Sequence, residues 1–192
     1  IRGAGDLLGE NQSGKISEIG FNLYHDLLKR TIQAIKNNTK FDIKDALVEE
    51  VEINSGIACI IPDTYLPDVH ERLILYKRIA SAGNDDELKD LKIEMIDRFG
   101  LLPDQTNNLF ESTSLKIQSK EIGILKINIY DEKLEITLNE KNLIDTSKII
   151  NLIQTKPHQF QLKNQNTLIS NETMEADFSR IRGASILIES LV

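Results

Sequence analysis

The sequence predicts an α+β domain with helices packed on a largely antiparallel sheet, preceded by a glycine-rich loop and a long helix. Three observations point there. Runs of β-forming residues arrive in pairs separated by turn residues, so the strands fold back as hairpins rather than as strand–helix–strand units. Segments of helical periodicity with start and stop signals lie between these pairs. The 192 residues, 40% hydrophobic and 28% charged, suffice for one ordinary globular domain with an appendage. Only 5% are aromatic and none is Trp, so the core must be built mainly from Leu and Ile.

The elements follow in order. Gly3, Gly5, Gly9 and Gly14 crowd one short run, which predicts a loop needing positive φ or very close approach to something. Phe21, Tyr24, Leu28, Ile32 and Ile35 recur at spacings of three and four, with Leu23, Leu27 and Ala34 widening the stripe, and predict a helix over Ser17–Lys36. Loop and helix cannot enclose a core, so they are expected to pack on a neighbour. Asn37-Asn38-Thr39-Lys40 reads as a connector. The chain therefore divides into residues 1–40 and a compact domain over 41–192.

That second domain opens with two strand-like runs, Val48–Ile53 and Ile57–Ile61, joined by Asn54-Ser55-Gly56 as a hairpin. Leu66-Pro67-Asp68 starts a helix with Pro at its first position, and Gly83 closes it. The next helix begins at Asn84 and runs to Phe99, and a third runs from Pro103-Asp104 to about Glu121. Ile124–Tyr130 and Leu134–Leu138 form a hairpin about Asp131-Glu132-Lys133. A short helix over Ser147–Gln154, a strand pair Gln159–Leu162 with Thr167–Ile169, and a closing helix over Thr173–Glu189 complete the domain.

Composition narrows function. The apolar runs Ile57–Pro62 and Ile186–Ile188 are far too short to cross a bilayer. Cys59 lies within Ala58-Cys59-Ile60-Ile61 and reads as a core thiol, and a single cysteine fits a reducing cytoplasm. The net charge of −7 is uneven: residues 1–40 hold six Lys/Arg against four Asp/Glu, the remainder 17 against 26. The acidic body is a poor candidate for binding nucleic acid, and only the N-terminal segment suits proximity to phosphates. His25, His70 and His158 share no metal-like spacing with Cys59 or each other, so no metal is expected.

Three motifs invite chemistry. Gly9-Glu-Asn-Gln-Ser-Gly14-Lys15-Ile16 matches a phosphate-binding loop until its last position, where Ile16 replaces the hydroxyl that holds Mg²⁺. No buried strand precedes it, and Glu10 would set a carboxylate beside the phosphates, so a nucleotide-binding enzyme is the weakest reading. Arg2 and Gln12 offer a guanidinium fork and a donor–acceptor amide, and the residues alone leave a working pair and a solvated loop both open. In the helix Asn84–Phe99, Asn84 and Glu87 have capping-box spacing, and Leu88, Leu91, Met95 and Phe99 form a narrow apolar stripe. Glu87, Asp90, Glu94, Asp97 and Arg98 occupy an adjacent charged arc.

The run Ile1–Gly14 resembles the TRG (translocation) motif shared by the RecG helicase and the bacterial transcription-repair coupling factor. Gly20-Phe21-Asn-Leu-Tyr24 continues in the coupling-factor style. Tyr76-Lys-Arg-Ile-Ala-Ser-Ala82 and Ile96-Asp-Arg-Phe-Gly-Leu-Leu-Pro-Asp104 resemble that factor's C-terminal domain, which RecG is not expected to have. The resemblance implies the end of the second helicase motor lobe followed by the C-terminal regulatory domain. It assigns Arg2 and Gln12 to coupling nucleotide state with movement on double-stranded DNA. It assigns Glu94, Asp97 and Arg98 to a surface that docks on an N-terminal module similar to UvrB, hiding the surface that recruits UvrA. The parent would displace stalled RNA polymerase using ATP and Mg²⁺, whose Walker motifs would lie upstream, so this chain is expected to need no cofactor and to hydrolyse no ATP. The competing reading is a constitutive protein–protein adaptor with no autoinhibitory role.

Overall fold

The computed structural model describes residues 51–171 and 180–192. In chain order these form β1 (Glu52–Asn54), α1 (Val69–Ala80), α2 (Asp85–Phe99), α3 (Asp104–Ile122), β2 (Ile124–Ile129), β3 (Leu134–Leu138), α4 (Thr146–Thr155), β4 (Phe160–Lys163), β5 (Thr167–Ser170) and α5 (Arg180–Leu191). The strands make one sheet of order β1-β2-β3-β5-β4. All neighbours are antiparallel except β1 and β2, which run parallel. The α+β class and the largely antiparallel sheet stand.

Side-chain alternation explains the sheet. In β3, Leu134, Ile136 and Leu138 are buried at period two, with Glu135 and Thr137 between them on the other face. β2 breaks the period: Ile124 and Ile127 are both buried although three residues apart. The pairing register shifts between Ile124 and Lys126, so Leu125 is the extra residue that resets the faces.

Two apolar cores result. One joins the sheet to α4, α5 and the second half of α3, through Leu115, Ile127, Ile136, Phe160, Ile181 and Ile188. The other packs α1, α2 and the first half of α3 through Leu75, Ile79, Leu88, Met95 and Phe110, with Ile61 and Leu66 from the preceding loop. Helix α3 contributes Phe110 to one core and Leu115 and Ile122 to the other, and so carries α1 and α2 on the sheet. Gly123 ends it at φ +88°, and an added Cβ would lie 2.8 Å from the Asn142 Cα. Only glycine meets both constraints.

The structure corrects three expectations. The hairpin about Asn54-Ser55-Gly56 does not form: residues 57–61 make no strand, and β1 pairs with β2 instead. The N-terminal turns of α3 satisfy that segment's polar groups. The Ile60 N–H donates to the Gln105 carbonyl at 3.2 Å, Thr106 Oγ1 donates to the Ile60 carbonyl at 3.1 Å, and the Asn108 amide reaches the Ala58 carbonyl. A strand partner would compete for the same groups. Pro67 is not the first helical residue: Asp68 caps α1, its carboxylate accepting the Glu71 N–H at 2.8 Å. Nor does Gly83 end α1, which stops at Ala80 with Ser81 as its C-cap. The helix Ser17–Lys36, the connector that follows it, Val48 to Glu50, and the first part of the predicted closing helix lie outside the described residues, whereas α5 confirms its remainder.

Candidate functional site

Helix α2 carries the charged arc, and its sequence fixes it at both ends. At the N-terminus, Asn84 Oδ1 accepts the Glu87 N–H at 2.9 Å while Glu87 Oε2 accepts the Gly83 N–H at 2.8 Å, so the capping box closes one residue further back than usual. Asp85 adds a bond from Ser114 of α3 at 2.6 Å. At the C-terminus the Tyr65 hydroxyl donates to the Gly100 carbonyl at 2.9 Å and to that of Met95 at 3.3 Å. Leu88, Leu91 and Met95 are buried, with Phe99 packed beside them, so the predicted stripe is the inward face. The opposite side is left to solvent.

Between α1 and α2 runs a ladder of four charges. Arg78 donates two parallel bonds to Glu94, Nη1 to Oε1 at 2.7 Å and Nη2 to Oε2 at 2.6 Å. Arg98 Nη1 also reaches Glu94 Oε1 at 3.2 Å, and Arg98 Nη2 reaches Glu71 Oε1 at 2.7 Å. The Arg98 guanidinium also lies 4.6 Å from the centre of the Phe99 ring. The bidentate Arg78 bond, aided by Arg98, holds the Glu94 carboxyl down at about 2 from an ordinary 4.5. The same bond raises Arg78. Glu94 is therefore ionised throughout the physiological range and occupied by its own chain.

The predicted docking residues thus divide. Glu94 and Arg98 face α1, whereas Asp97 is exposed and its carboxylate holds no hydrogen bond or ion pair among the described residues. Asp90 is likewise exposed and unpaired, and Glu87 belongs to the cap. Arg2 and Gln12, with the Gly9–Ile16 loop and His25, lie outside the described residues. Sequence reasoning missed Glu71 and Arg78, although their spacing of seven sets both on one face of α1. It also passed over Ile93, an apolar residue 57% exposed amid the charges and outside the buried stripe.

The other candidates carry no chemistry. Burial raises the Cys59 thiol, which packs against the sheet core, so little thiolate forms near neutrality. His70 and His158 are exposed. Among the described residues, no group of three or more His, Cys, Asp or Glu is placed to hold a metal, and no helix is long and apolar enough to cross a membrane.

Comparison with known proteins gives a consistent result. Residues 55–149 match the TRCF domain family. The chain is 39% identical over 168 residues to the transcription-repair-coupling factor of Escherichia coli K12, covering 88% of this chain and 15% of that protein. Against the factor of Haemophilus influenzae the identity is 41% over 157 residues, covering 82% of this chain and 14% of the relative. The factor of Buchnera aphidicola subsp. Acyrthosiphon pisum aligns over 100% of this chain, at 31% identity and 24% of its own length. The chain thus spans a small part of the curated relatives it matches. Among solved structures, a crystal structure of the C-terminal domain of transcription-repair coupling factor superposes with a TM-score of 0.63 at 23% identity, covering 74% of this chain and 91% of that one. That likeness bears on the fold.

Proposed function

We propose, from the premise that this chain belongs to the transcription-repair-coupling factor family, that it is the C-terminal regulatory part of an ATP-dependent double-stranded-DNA translocase acting in nucleotide excision repair. Residues 1–40 close the second motor lobe, with Arg2 and Gln12 coupling nucleotide state to movement. Residues 41–192 form the regulatory domain. Its α2 surface docks on the UvrB-like N-terminal module of the same polypeptide and hides the site for UvrA until the parent engages stalled RNA polymerase. The parent supplies the ATP and Mg²⁺ chemistry.

The observation that carries this reading is the outer side of α2. A helix fixed at both ends presents carboxylates with no partner among the described residues, Asp90 and Asp97, to solvent. Fixed, unpaired charge of this kind sets specificity and association rate more than affinity, which suits a latch that must open. A latch worth about 3–5 kcal/mol leaves the open form populated at roughly 0.6–0.02%, a bias that an engaging ligand can overcome. Charge reversal at Asp97 in the full-length parent should raise both basal ATPase and UvrA binding. Unchanged basal values with intact folding reject the latch and leave the constitutive adaptor.

A further inference from the structure

We propose that the groove between α2 and α3 binds a small zwitterion, an aliphatic α-amino acid of the size of valine or leucine. The site is separate from the docking reading above. It lies on the side of α2 that faces α3, whereas Glu94 and Arg98 turn to α1.

Asp85, Leu88, Lys89 and Lys92 follow one another along that side of α2 at helical spacing. Phe110, Glu111 and Ser114 of α3 face them, and the two rows line a cavity of about 200 Å³. Leu88 and Phe110, each 4% exposed, give it an apolar floor. The Ser114 hydroxyl donates to Asp85 Oδ1 at 2.6 Å and ties the helices together across the groove. Lys89 is engaged by Asp86 at 3.1 Å.

Two charges of the lining are left over. Lys92 and Glu111 are half-buried on opposite helices, and their side chains hold no hydrogen bond or ion pair among the described residues. On the other side of α2 the chain satisfies its charges internally, through the ladder that joins Arg78, Glu94, Arg98 and Glu71. Here an ammonium and a carboxylate stand over an apolar floor without closing on each other. Their complement is a ligand with one carboxylate, one ammonium and a short apolar chain. The carboxylate meets Lys92 Nζ, the ammonium meets Glu111, and the side chain lies on Leu88 and Phe110. Size narrows the class. The cavity equals about seven water volumes of ~30 Å³ each, below the roughly 300 Å³ at which pockets for drug-sized ligands begin. That excludes a nucleotide and suits a branched aliphatic amino acid with its charged groups at the mouth.

The test is a titration of this chain with L-leucine, followed by amide chemical shifts and calorimetry, beside two analogues that each lack one charge. Isocaproate has no ammonium, and isoamylamine has no carboxylate. Leucine should bind saturably, with shifts centred on the α2 and α3 turns that line the groove, and each analogue should bind about tenfold more weakly for want of one charge-assisted bond. Lys92→Met should weaken leucine by a similar factor and leave isoamylamine unchanged. Glu111→Gln should do the same for leucine and leave isocaproate unchanged. Both variants spare the two cores, so the melting temperature without ligand should stay where it is. No saturable binding of leucine at millimolar concentration overturns the proposal. So does equal binding of all three compounds, which would make the groove an apolar slot only, or leucine binding indifferent to both variants.

Discussion

Replacing Glu94 by Gln removes one charge from the ladder while keeping the side chain's size, and the structure sets the expected cost. The side chains of Arg78 and Glu94 are 44% and 34% exposed, so solvent screens the pair strongly. A full reading of a carboxyl held at about 2 against an ordinary 4.5 would give roughly 3 kcal/mol. Exposure reduces that to about 1 kcal/mol, the upper end for a bidentate surface pair. For a chain of this size such a loss lowers Tm by about 2–4 °C. The sign with pH follows from the direction of the shift. The native carboxyl is depressed below its unfolded value, so the stabilisation is complete above about pH 5 and is lost as pH falls towards 2. Urea unfolding of wild type and Glu94→Gln at pH 7 and pH 3 should show the gap between them shrink by more than half. A gap that is absent at pH 7, or equal at both pH values, refutes the pairing.

Two further perturbations probe the scaffold that holds α2. Gly123→Ala forces a left-handed residue and a Cβ against the Asn142 backbone, and should cost about 2 kcal/mol in chemical denaturation; a neutral result would mean that the α3 terminus is not where the structure sets it. Asn84→Ala removes the acceptor for the Glu87 N–H and should lose about 1 kcal/mol, with amide exchange accelerating in the first turn of α2 before its centre. Uniform acceleration along the helix would contradict the cap.

Much of the fold could be read from the chain because local signals agreed with tertiary ones. The buried stripe of Leu88, Leu91 and Met95, the Asn84 cap and the β2–β3 hairpin all follow from spacing. The hairpin about Asn54-Ser55-Gly56 failed for a reason no local pattern carries. Ile57 to Ile61 looks like a strand, but its carbonyls and amides are claimed by Gln105, Thr106 and Asn108, some fifty residues on. At Pro67 and Gly83 the right residue types stand one or more positions from the helix ends, because Asp68 and Ser81 supply the caps.

The site was only half legible for a similar reason. The charged arc of α2 follows from helical geometry, but which of its members are free depends on α1. Glu71 and Arg78 answer Arg98 and Glu94 across a packing contact that periodicity does not reveal. A helix wheel treats Glu94 and Asp97 as equivalent acids. The fold makes one a strut and leaves the other unpaired among the described residues. Ile93 had a readable signal, since an apolar residue off the buried stripe of an amphipathic helix invites a partner.

The most direct measurement is a titration of this chain with the separately prepared UvrB-like N-terminal module of the same polypeptide, repeated at rising salt and with Asp97→Lys. The account predicts saturable binding that weakens as salt increases and is lost in the variant. Absence of binding, or binding indifferent to both salt and Asp97, contradicts it.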